Sequence, residues 1–482
     1  MKTAYTEIDL YKLFKQIGKI SAAIVLTACS TLASAQLGSL STDLVYTPVT
    51  PCRIIDTRSA TAGQMGAGST RAFNAWTTTN FASQGGTSSS NCGIPTTTDT
   101  AAIVVYFTVV YPSAAGYITT FPGGNVPQPL ASTVNFGAGD VKGNNATLKL
   151  DQTSGVTTNH FKVFASSATH LVADVVGYYA KPTALPLTLL DRDLVYTPVT
   201  PCRIVDTRNA GADTGLLIGG APARSFVGWN GSYTLQGGDN SSCGLPYSTN
   251  NAAIVVNFAV VGPSTDGYIT AFPADKAQPF AATVNFVAGD VKGNNTVLKL
   301  NQTTGETNFK VYSSSTTDLV ADVVGYYAMP VALGSPSSDL VYTPITPCRI
   351  VDTRNANSGG AFVAKSTRDF MGWGSSFAAQ GGATNDCGLP KGVDGPNNAA
   401  LAVNFAIVGP AADGYITAFP GNLANAAMPL AATLNYYAGD VKANNTVLKL
   451  NQTGTGPHFK IYSTSASHLI ADVVGYYAKP KP

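Results

Sequence analysis

The stretch that decides the fold is Ala253-Ile254-Val255-Val256-Asn257-Phe258-Ala259-Val260-Val261, followed by Gly262-Pro263-Ser264-Thr265-Asp266-Gly267 and Tyr268-Ile269-Thr270-Ala271-Phe272. An apolar β-branched run, a Gly/Pro turn and a second such run indicate an antiparallel hairpin. No amphipathic helical pattern is found after residue 35, and about eight to ten strands of this kind fit into each 140-residue passage. The sequence predicts an all-β fold of antiparallel sandwich or jelly-roll domains.

The hairpin belongs to a passage that the chain repeats three times. Each copy opens with Asp-Leu-Val-Tyr-Thr-Pro and closes with Asp-Val-Val-Gly-Tyr-Tyr. The predicted domains are 43–180, 193–328 and 339–478, with linkers at 181–192 and 329–338 and a tail at 479–482. Each copy is long enough to bury its own core. Because the linkers are short and contain proline, we expect the domains to be arranged as beads along the chain, with limited play between them.

The first 35 residues have the pattern of an export signal. Lysines precede an apolar stretch from Ile20 to Leu32, and Ala33-Ser34-Ala35 is a small-x-small cleavage site. Leu26-Thr27-Ala28-Cys29 also resembles a lipobox, in which Cys29 would carry lipid. Both alternatives place the mature chain outside the cytoplasm, at the cell surface or beyond it, and a lipid anchor would be its one attachment to a membrane.

Composition excludes some partners and favours others. Charged residues make up 12% of the chain and the net charge is +2, against roughly 25% charged residues in an average protein. Such a chain has no basic face for nucleic acid. Thr, Val, Tyr, Gly and Asn are abundant, which is typical of β-structure with many turns.

Six cysteines fall two per copy, and their spacing predicts one disulfide in each domain. Two cysteines without a neighbouring histidine or a second pair make a poor zinc site, so no metal is expected. In an exported protein the disulfide is the natural interpretation. The predicted pairs are Cys52 with Cys92, Cys202 with Cys243, and Cys348 with Cys387.

A Pro-Cys-Arg-x-x-Asp-Thr-Arg motif recurs at 51–58, 201–208 and 347–354. In an extended segment, the Asp and the Arg two residues later share a face. They are either a ligand-binding pair, in which Arg holds a carboxylate or sugar hydroxyls, or a structural ion pair beside the disulfide. The pairs are Asp56 with Arg58, Asp206 with Arg208, and Asp352 with Arg354.

Each copy also has one tryptophan, Trp76, Trp229 or Trp373. An exposed indole could stack on a sugar ring, and a buried one would anchor the sandwich; both alternatives stay open. The repeated loop beginning Gly139-Asp140-Val141-Lys142 could offer oxygens to calcium. With one carboxylate per loop, an Asn/Gly turn is the favoured interpretation.

The sequence gives little support for catalysis. His160, His170, His458 and His468 lie in the first and third copies, while Asn308 and Asp318 take their places in the second. A histidine-dependent nucleophile would therefore be absent from one copy. The aspartates Asp56 and Asp174 could form a glycosidase pair, but a structural role is favoured. No cofactor and no enzymatic activity are predicted.

The whole repeat resembles one seen in secreted bacterial proteins, including many from actinobacteria. The resemblance rests on Pro51 to Arg58, Gly116-Tyr117-Ile118-Thr119, Asn135-Phe136-Gly137-Ala138-Gly139 and Asp174 to Tyr178, with counterparts in the other copies. It covers nearly all of residues 43–478, and the paired cysteines are an addition to the pattern. The resemblance implies a β-rich extracellular module and carries no catalytic residues.

The leading functional prediction is an exported, non-enzymatic surface protein that binds or adheres through several weak sites. Tyr, Trp, Asn and Thr suit sugars, so a polysaccharide or cell-wall glycan is the predicted partner, and linked copies would gain avidity. The candidate ligand-binding residues are the three tryptophans and the three Asp–Arg pairs. The alternative is self-association into a surface layer or fibre, and hydrolysis is the least favoured.

Overall fold

The structure is a computed structural model. It describes residues 44–479 except 60–62, 98, 130, 154–155, 183–193, 210, 212, 280, 304, 331–339, 391 and 454–455. The predicted signal, the lipobox cysteine and most of both predicted linkers lie outside the described residues. No helix in the described part of the chain is long and apolar enough to cross a membrane.

The described chain is built from β-strands joined by turns and short 3₁₀ helices, eight strands to each copy. In the first copy the strands are β1 (Val45–Asp56), β2 (Ser69–Phe73), β3 (Thr100–Val110), β4 (Gly116–Pro122), β5 (Val134–Phe136), β6 (Val141–Lys149), β7 (Phe161–Ala165) and β8 (His170–Ala180). In the second they are β9 (Val195–Asp206), β10 (Arg224–Phe226), β11 (Asn251–Val261), β12 (Gly267–Pro273), β13 (Val284–Phe286), β14 (Val291–Lys299), β15 (Phe309–Ser313) and β16 (Asp318–Ala328).

The third copy repeats the same order. Its strands are β17 (Val341–Asp352), β18 (Ser366–Phe370), β19 (Asn398–Val408), β20 (Gly414–Pro420), β21 (Leu434–Tyr436), β22 (Val441–Lys449), β23 (Phe459–Ser463) and β24 (His468–Ala478). The 3₁₀ helices span Ala82–Gln84, Thr234–Gln236, Ala356–Ser358, Ala378–Gln380, Gly392–Asn397 and Asn425–Ala427.

Each copy is a jelly roll of two four-stranded antiparallel sheets. The strand orders in the first copy are β1-β8-β3-β6 and β2-β7-β4-β5, and the other two copies have the same orders. This is the double Greek-key connection that an eight-stranded sandwich adopts. The predicted fold class is therefore confirmed: three antiparallel sandwich domains, each with its predicted disulfide between Cys52 and Cys92, Cys202 and Cys243, or Cys348 and Cys387.

The longer sheet of each copy is buried on both faces. Every position of β3 is buried, although alternate side chains point to opposite faces of the sheet. One set, including Phe107, packs inside its own sandwich. The other set, including Ala102 and Val104, packs in a second cluster with residues of the other two copies. The continuous apolar runs are therefore explained by burial on both faces, which removes the polar alternation of a solvated sheet.

The three copies pack around a common pseudo-threefold axis. At one end, the hydroxyls of Tyr179, Tyr327 and Tyr477 are hydrogen-bonded to one another. Near the same end, the backbone of Tyr46 pairs with that of Leu194 through two hydrogen bonds of 2.8 Å. Equivalent bridges join the second copy to the third and the third to the first. The chain is thus a closed, single-chain pseudotrimer.

Farther along the axis, asparagines connect the copies in a cycle. The backbone N–H of Asn145 donates to Asn294 Oδ1 at 3.0 Å, which joins the first copy to the second. The other two links run from the Asn295 N–H to Asn444 Oδ1 and from the Asn445 N–H to Asn144 Oδ1. The predicted arrangement of separate domains with limited play is wrong, because these contacts and the shared apolar cluster fix the copies against one another.

Candidate functional site: a groove between copies

A groove of about 530 Å³ lies where the first copy meets the second. Hydroxyl groups, proline rings and one ammonium group line it. Its wall from the first copy is the segment 47–52 with Ser90, Cys92, Gly93 and Tyr178, and Lys299 comes from the second copy. Ligand sites occur preferentially at such boundaries between domains.

An irregularity in β1 creates the groove. The pairing of β1 with β8 is regular as far as Pro48 and resumes only at Cys52, with a shift of register between them. Pro48 and Pro51 have no N–H to give to the sheet, so the segment bulges away from its neighbour. The disulfide to Cys92 then holds the bulge at its far side. The bulge thus exposes Thr47 and Thr50 on the groove wall.

The same residue types meet at the other two boundaries. The Thr-Pro-x-Thr-Pro-Cys segment recurs at 197–202 and 343–348, with the same shift of register in β9 and β17. Lys449 and Lys149, the last residues of β22 and β6, are the counterparts of Lys299 in the other two copies. Strand β9 contacts β22, and β17 contacts β6, as β1 contacts β14. The candidate site is therefore built from elements that all three copies possess.

The predicted Asp–Arg pairs form closed ion networks. In the second copy, Asp206 Oδ1 accepts from Arg208 Nε at 2.8 Å, and Asp206 Oδ2 accepts from Arg208 Nη2 at 2.7 Å. Arg203 donates to Asp206 at 2.9 Å and binds Asp322 through two further hydrogen bonds of 2.9 and 3.2 Å. Both carboxylates are buried. The same network links Asp56 with Arg58 and Asp352 with Arg354.

The electrostatics fit a structural role for these pairs. Burial disfavours the charged form of Asp206, but the hydrogen bonds and charges of Arg208 and Arg203 outweigh it and lower the pKa of Asp206. Burial raises the pKa of Asp322, against the opposing effect of Arg203. Because each oxygen of Asp206 already accepts from arginine, the geometry favours the structural alternative over the ligand-binding one.

The tryptophans do not provide an exposed stacking platform, so this part of the ligand-site prediction is wrong. Trp76, Trp229 and Trp373 are 4%, 7% and 6% exposed and belong to the sandwich cores. The indole of Trp76 stacks on His160 at 3.5 Å between ring centroids, and that of Trp373 on His458 at 3.4 Å. Apolar burial of these large rings outweighs any gain from exposure.

The repeated Gly-Asp-Val-Lys loop is a turn, as its composition favours. Asp140 Oδ2 accepts from the backbone N–H of Gly137 at 2.6 Å, which ties the carboxylate to its own turn. Within the described ranges, no group of three or more His, Cys, Asp or Glu side chains is placed to hold a metal ion. The sequence reasoning missed the groove, although the recurring Thr-Pro-x-Thr-Pro-Cys segment was its visible signal.

Comparisons with known proteins add no family. No family model matches the chain, and no curated protein matches it. Among solved structures, a chain described as "The Triple Jelly Roll Fold and Turret Assembly in an Archaeal Virus" is similar over 79% of this chain and 80% of that chain. The sequence identity is 8% and the TM-score is 0.14. A TM-score this low carries no argument about function.

Proposed function

We propose that the chain is an exported, non-enzymatic protein that binds a polysaccharide or cell-wall glycan at the boundaries between its copies. The observation that carries the proposal is the groove of about 530 Å³, whose wall includes the hydroxyl side chains of Thr47, Thr50 and Ser90. Hydroxyl groups both donate and accept hydrogen bonds, as sugar hydroxyls require. The ring of Pro51, half-buried on the same wall, offers apolar surface to the C–H face of a sugar.

The fixed arrangement of the copies supports a multivalent mode of binding. Three boundaries built from the same residue types are held at constant spacing by the axial contacts. A repeating glycan that reaches two of them would bind the second site at high effective concentration, which can raise avidity by about 10²-fold or more when the geometry permits. Weak individual grooves would then suffice for adhesion.

The test is a glycan array and a cell-wall pull-down with the full mature chain. We expect binding that falls by about 10-fold or more when Lys149, Lys299 and Lys449 are all replaced by alanine, because the three are counterparts and a weaker contact at each boundary multiplies the loss of avidity. Lys276→Ala is the matched control, because Lys276 is an exposed lysine paired with Asp275. Melting temperatures of both variants would establish that they fold.

Two results would contradict the proposal. Absence of binding to every glycan and to cell walls would remove it, and binding that survives the triple replacement would place the site elsewhere. Absence of binding together with concentration-dependent growth in light scattering would favour the alternative of a surface layer or fibre subunit.

A further inference from the structure

Three lysines meet at the end of the axis opposite the tyrosine ring. Lys142, Lys292 and Lys442 are the second residues of β6, β14 and β22, and these three strands contact one another. In the strand register, Lys142 is opposite Val109, seven residues along β3 from the partner of Tyr179. Seven residues of strand span roughly 23 Å. The lysines and the tyrosine hydroxyls therefore lie at separate ends of the axis.

The ammonium groups form one electrostatic cluster. In addition to burial, the positive charges of Lys442 and Lys142 both lower the pKa of Lys292. Lys142 Nζ reaches the carbonyl oxygen of Val441, the residue before Lys442, at 3.3 Å. Lys292 and Lys442 are 7% and 5% exposed. Val441, at the same end, is 45% exposed, so the cluster lies beside solvent.

The lysines lack close anionic partners among the described residues. Among the residues that the structure describes, no ion pair of 4.0 Å or less joins any of the three to a carboxylate, and the side chain of Lys292 makes no hydrogen bond. Asp140, Asp290 and Asp440 lie in the same cluster, but each accepts from a backbone N–H of its own turn, at 2.6, 3.0 and 2.8 Å. The aspartates reduce the local charge without contacting the ammonium groups.

Lys292 and Lys442 are buried and Lys142 is half-buried. Their contacts are the Val441 carbonyl oxygen for Lys142 and the Tyr437 ring, 5.4 Å from Lys442 Nζ, and neither contact supplies a full negative charge. A buried charge is destabilising unless it is paired, and like charges add repulsion. Burial first, and then the charges of Lys442 and Lys142, lower the pKa of Lys292 to about 7. A small anion among the three ammonium groups would remove both costs, because each lysine presents three N–H donors.

We propose that this end of the axis binds a tetrahedral oxyanion, either free sulfate or phosphate or the same group on a polymer. Three ammonium groups around a threefold axis match three oxygens of such an anion, and ammonium is a point charge suited to it. This site is separate from the boundary groove. Removal of one charge, as in Lys292→Gln, leaves the fold's apolar contacts in place and abolishes the threefold set of donors.

The experiment measures the melting temperature of the full mature chain in sodium sulfate, sodium phosphate and sodium chloride at equal ionic strength and pH 6.5. We expect a saturable rise of about 2 °C or more with sulfate and phosphate over chloride. Lys292→Gln should lose the saturable rise, and Lys276→Gln should keep it. Sulfate and phosphate also stabilise proteins in general, without saturation. Because this general rise in melting temperature occurs in all variants, the rise in Lys292→Gln can be subtracted from that of the unaltered chain.

The pH response gives a second readout. Binding needs Lys292 protonated, so the sulfate effect should weaken as the pH rises through about 7. Calorimetry near that pH, in buffers of different ionisation enthalpy, should show proton uptake when sulfate binds. Sulfated dextran at equal sulfate concentration separates the sources: an effect of the polymer without one of the free ions assigns the ligand to a polymer-borne group. No effect beyond chloride from any of the three, or an undiminished effect in Lys292→Gln, would overturn the proposal.

Discussion

A histidine in two copies and an asparagine in the third accept the same backbone hydrogen bonds. His458 Nδ1 accepts from the backbone N–H groups of Gly372 and Trp373, at 2.9 and 3.2 Å. Asn308 Oδ1 accepts from Gly228 and Trp229, at 2.7 and 3.3 Å. The imidazole must therefore keep Nδ1 unprotonated, and it is a structural acceptor. The second copy can therefore lack this histidine, because Asn308 supplies an equivalent acceptor.

The exchange predicts how stability depends on pH. Burial lowers the pKa of His160 and His458 from 6.5 to about 4. Since the folded pKa lies below the unfolded one, the contribution is fully present above pH 6.5 and is lost as the pH falls towards about 4. We expect the double variant His160→Asn/His458→Asn to lose less melting temperature between pH 6.5 and 4.5 than the unaltered chain.

The second copy supplies the reciprocal control. Asn308→His should increase the acid sensitivity over the same interval, because it adds a third histidine in the same setting. Parallel curves of melting temperature against pH for all three proteins would show that these side chains do not titrate on unfolding.

At the scale of elements, one strand position in each copy requires glycine, because a tyrosine of the neighbouring strand lies too close to it for a side chain. A Cβ on Gly325, in β16, would lie 2.1 Å from the hydroxyl oxygen of Tyr196, in β9. That hydroxyl donates to the carbonyl oxygen of Val324 at 3.1 Å. Gly177 and Gly475 have the same relation to Tyr46 and Tyr342. The glycine of the closing Asp-Val-Val-Gly-Tyr-Tyr motif therefore leaves room for a tyrosine ring that belongs to the apolar cluster shared by the three copies.

We expect Gly325→Ala to destabilise the chain by about 1 to 3 kcal/mol, the usual cost of overpacking. Urea unfolding followed by tyrosine and tryptophan fluorescence measures the shift of the midpoint. Gly231→Ala is the matched control, since a Cβ there meets nothing within 4 Å. Equal midpoints for the two variants would mean that the Tyr196 ring moves aside without cost.

For the whole molecule, the pseudo-threefold axis makes each copy incomplete alone. Tyr196, Ala253, Val255 and Tyr327 are at most 1% exposed in the chain, and all belong to the cluster shared by the three copies. Cutting one copy out would expose this apolar face to water. Because the face meets equivalent faces under threefold rotation, identical copies can bury it again by trimerisation.

The isolated second copy, residues 193–328, should therefore form a homotrimer. Size-exclusion chromatography with light scattering would give three times the mass of one copy, and Tyr327→Asp, which puts a charge at the centre, should reduce it to monomer or unfolded chain. A folded, monodisperse monomer of the unaltered copy at high concentration would contradict the prediction.

The sequence by itself determined the local and the within-copy structure. Alternation, Gly/Pro turns and cysteine spacing depend on contacts within one domain, so they predict the all-β fold and the three disulfides. The Asp–Arg motif likewise encodes its own ion pair two residues apart. The apolar run Ala253 to Val261 could be recognised as strand, but not as strand buried on both faces, because periodicity does not reveal what covers the second face.

Only the tertiary structure decided how the copies meet and which side chains meet with them. Tyr179, Tyr327 and Tyr477 follow one another at intervals of about 150 residues, as do the three axial lysines, and only the closing of the ring brings them together. The same closure places Lys299 of one copy in the groove of another. Whether the tryptophan of each copy is buried or exposed depends on which side of its loop packs against the sandwich core. These are properties of packing between distant segments, and the local sequence pattern does not determine them.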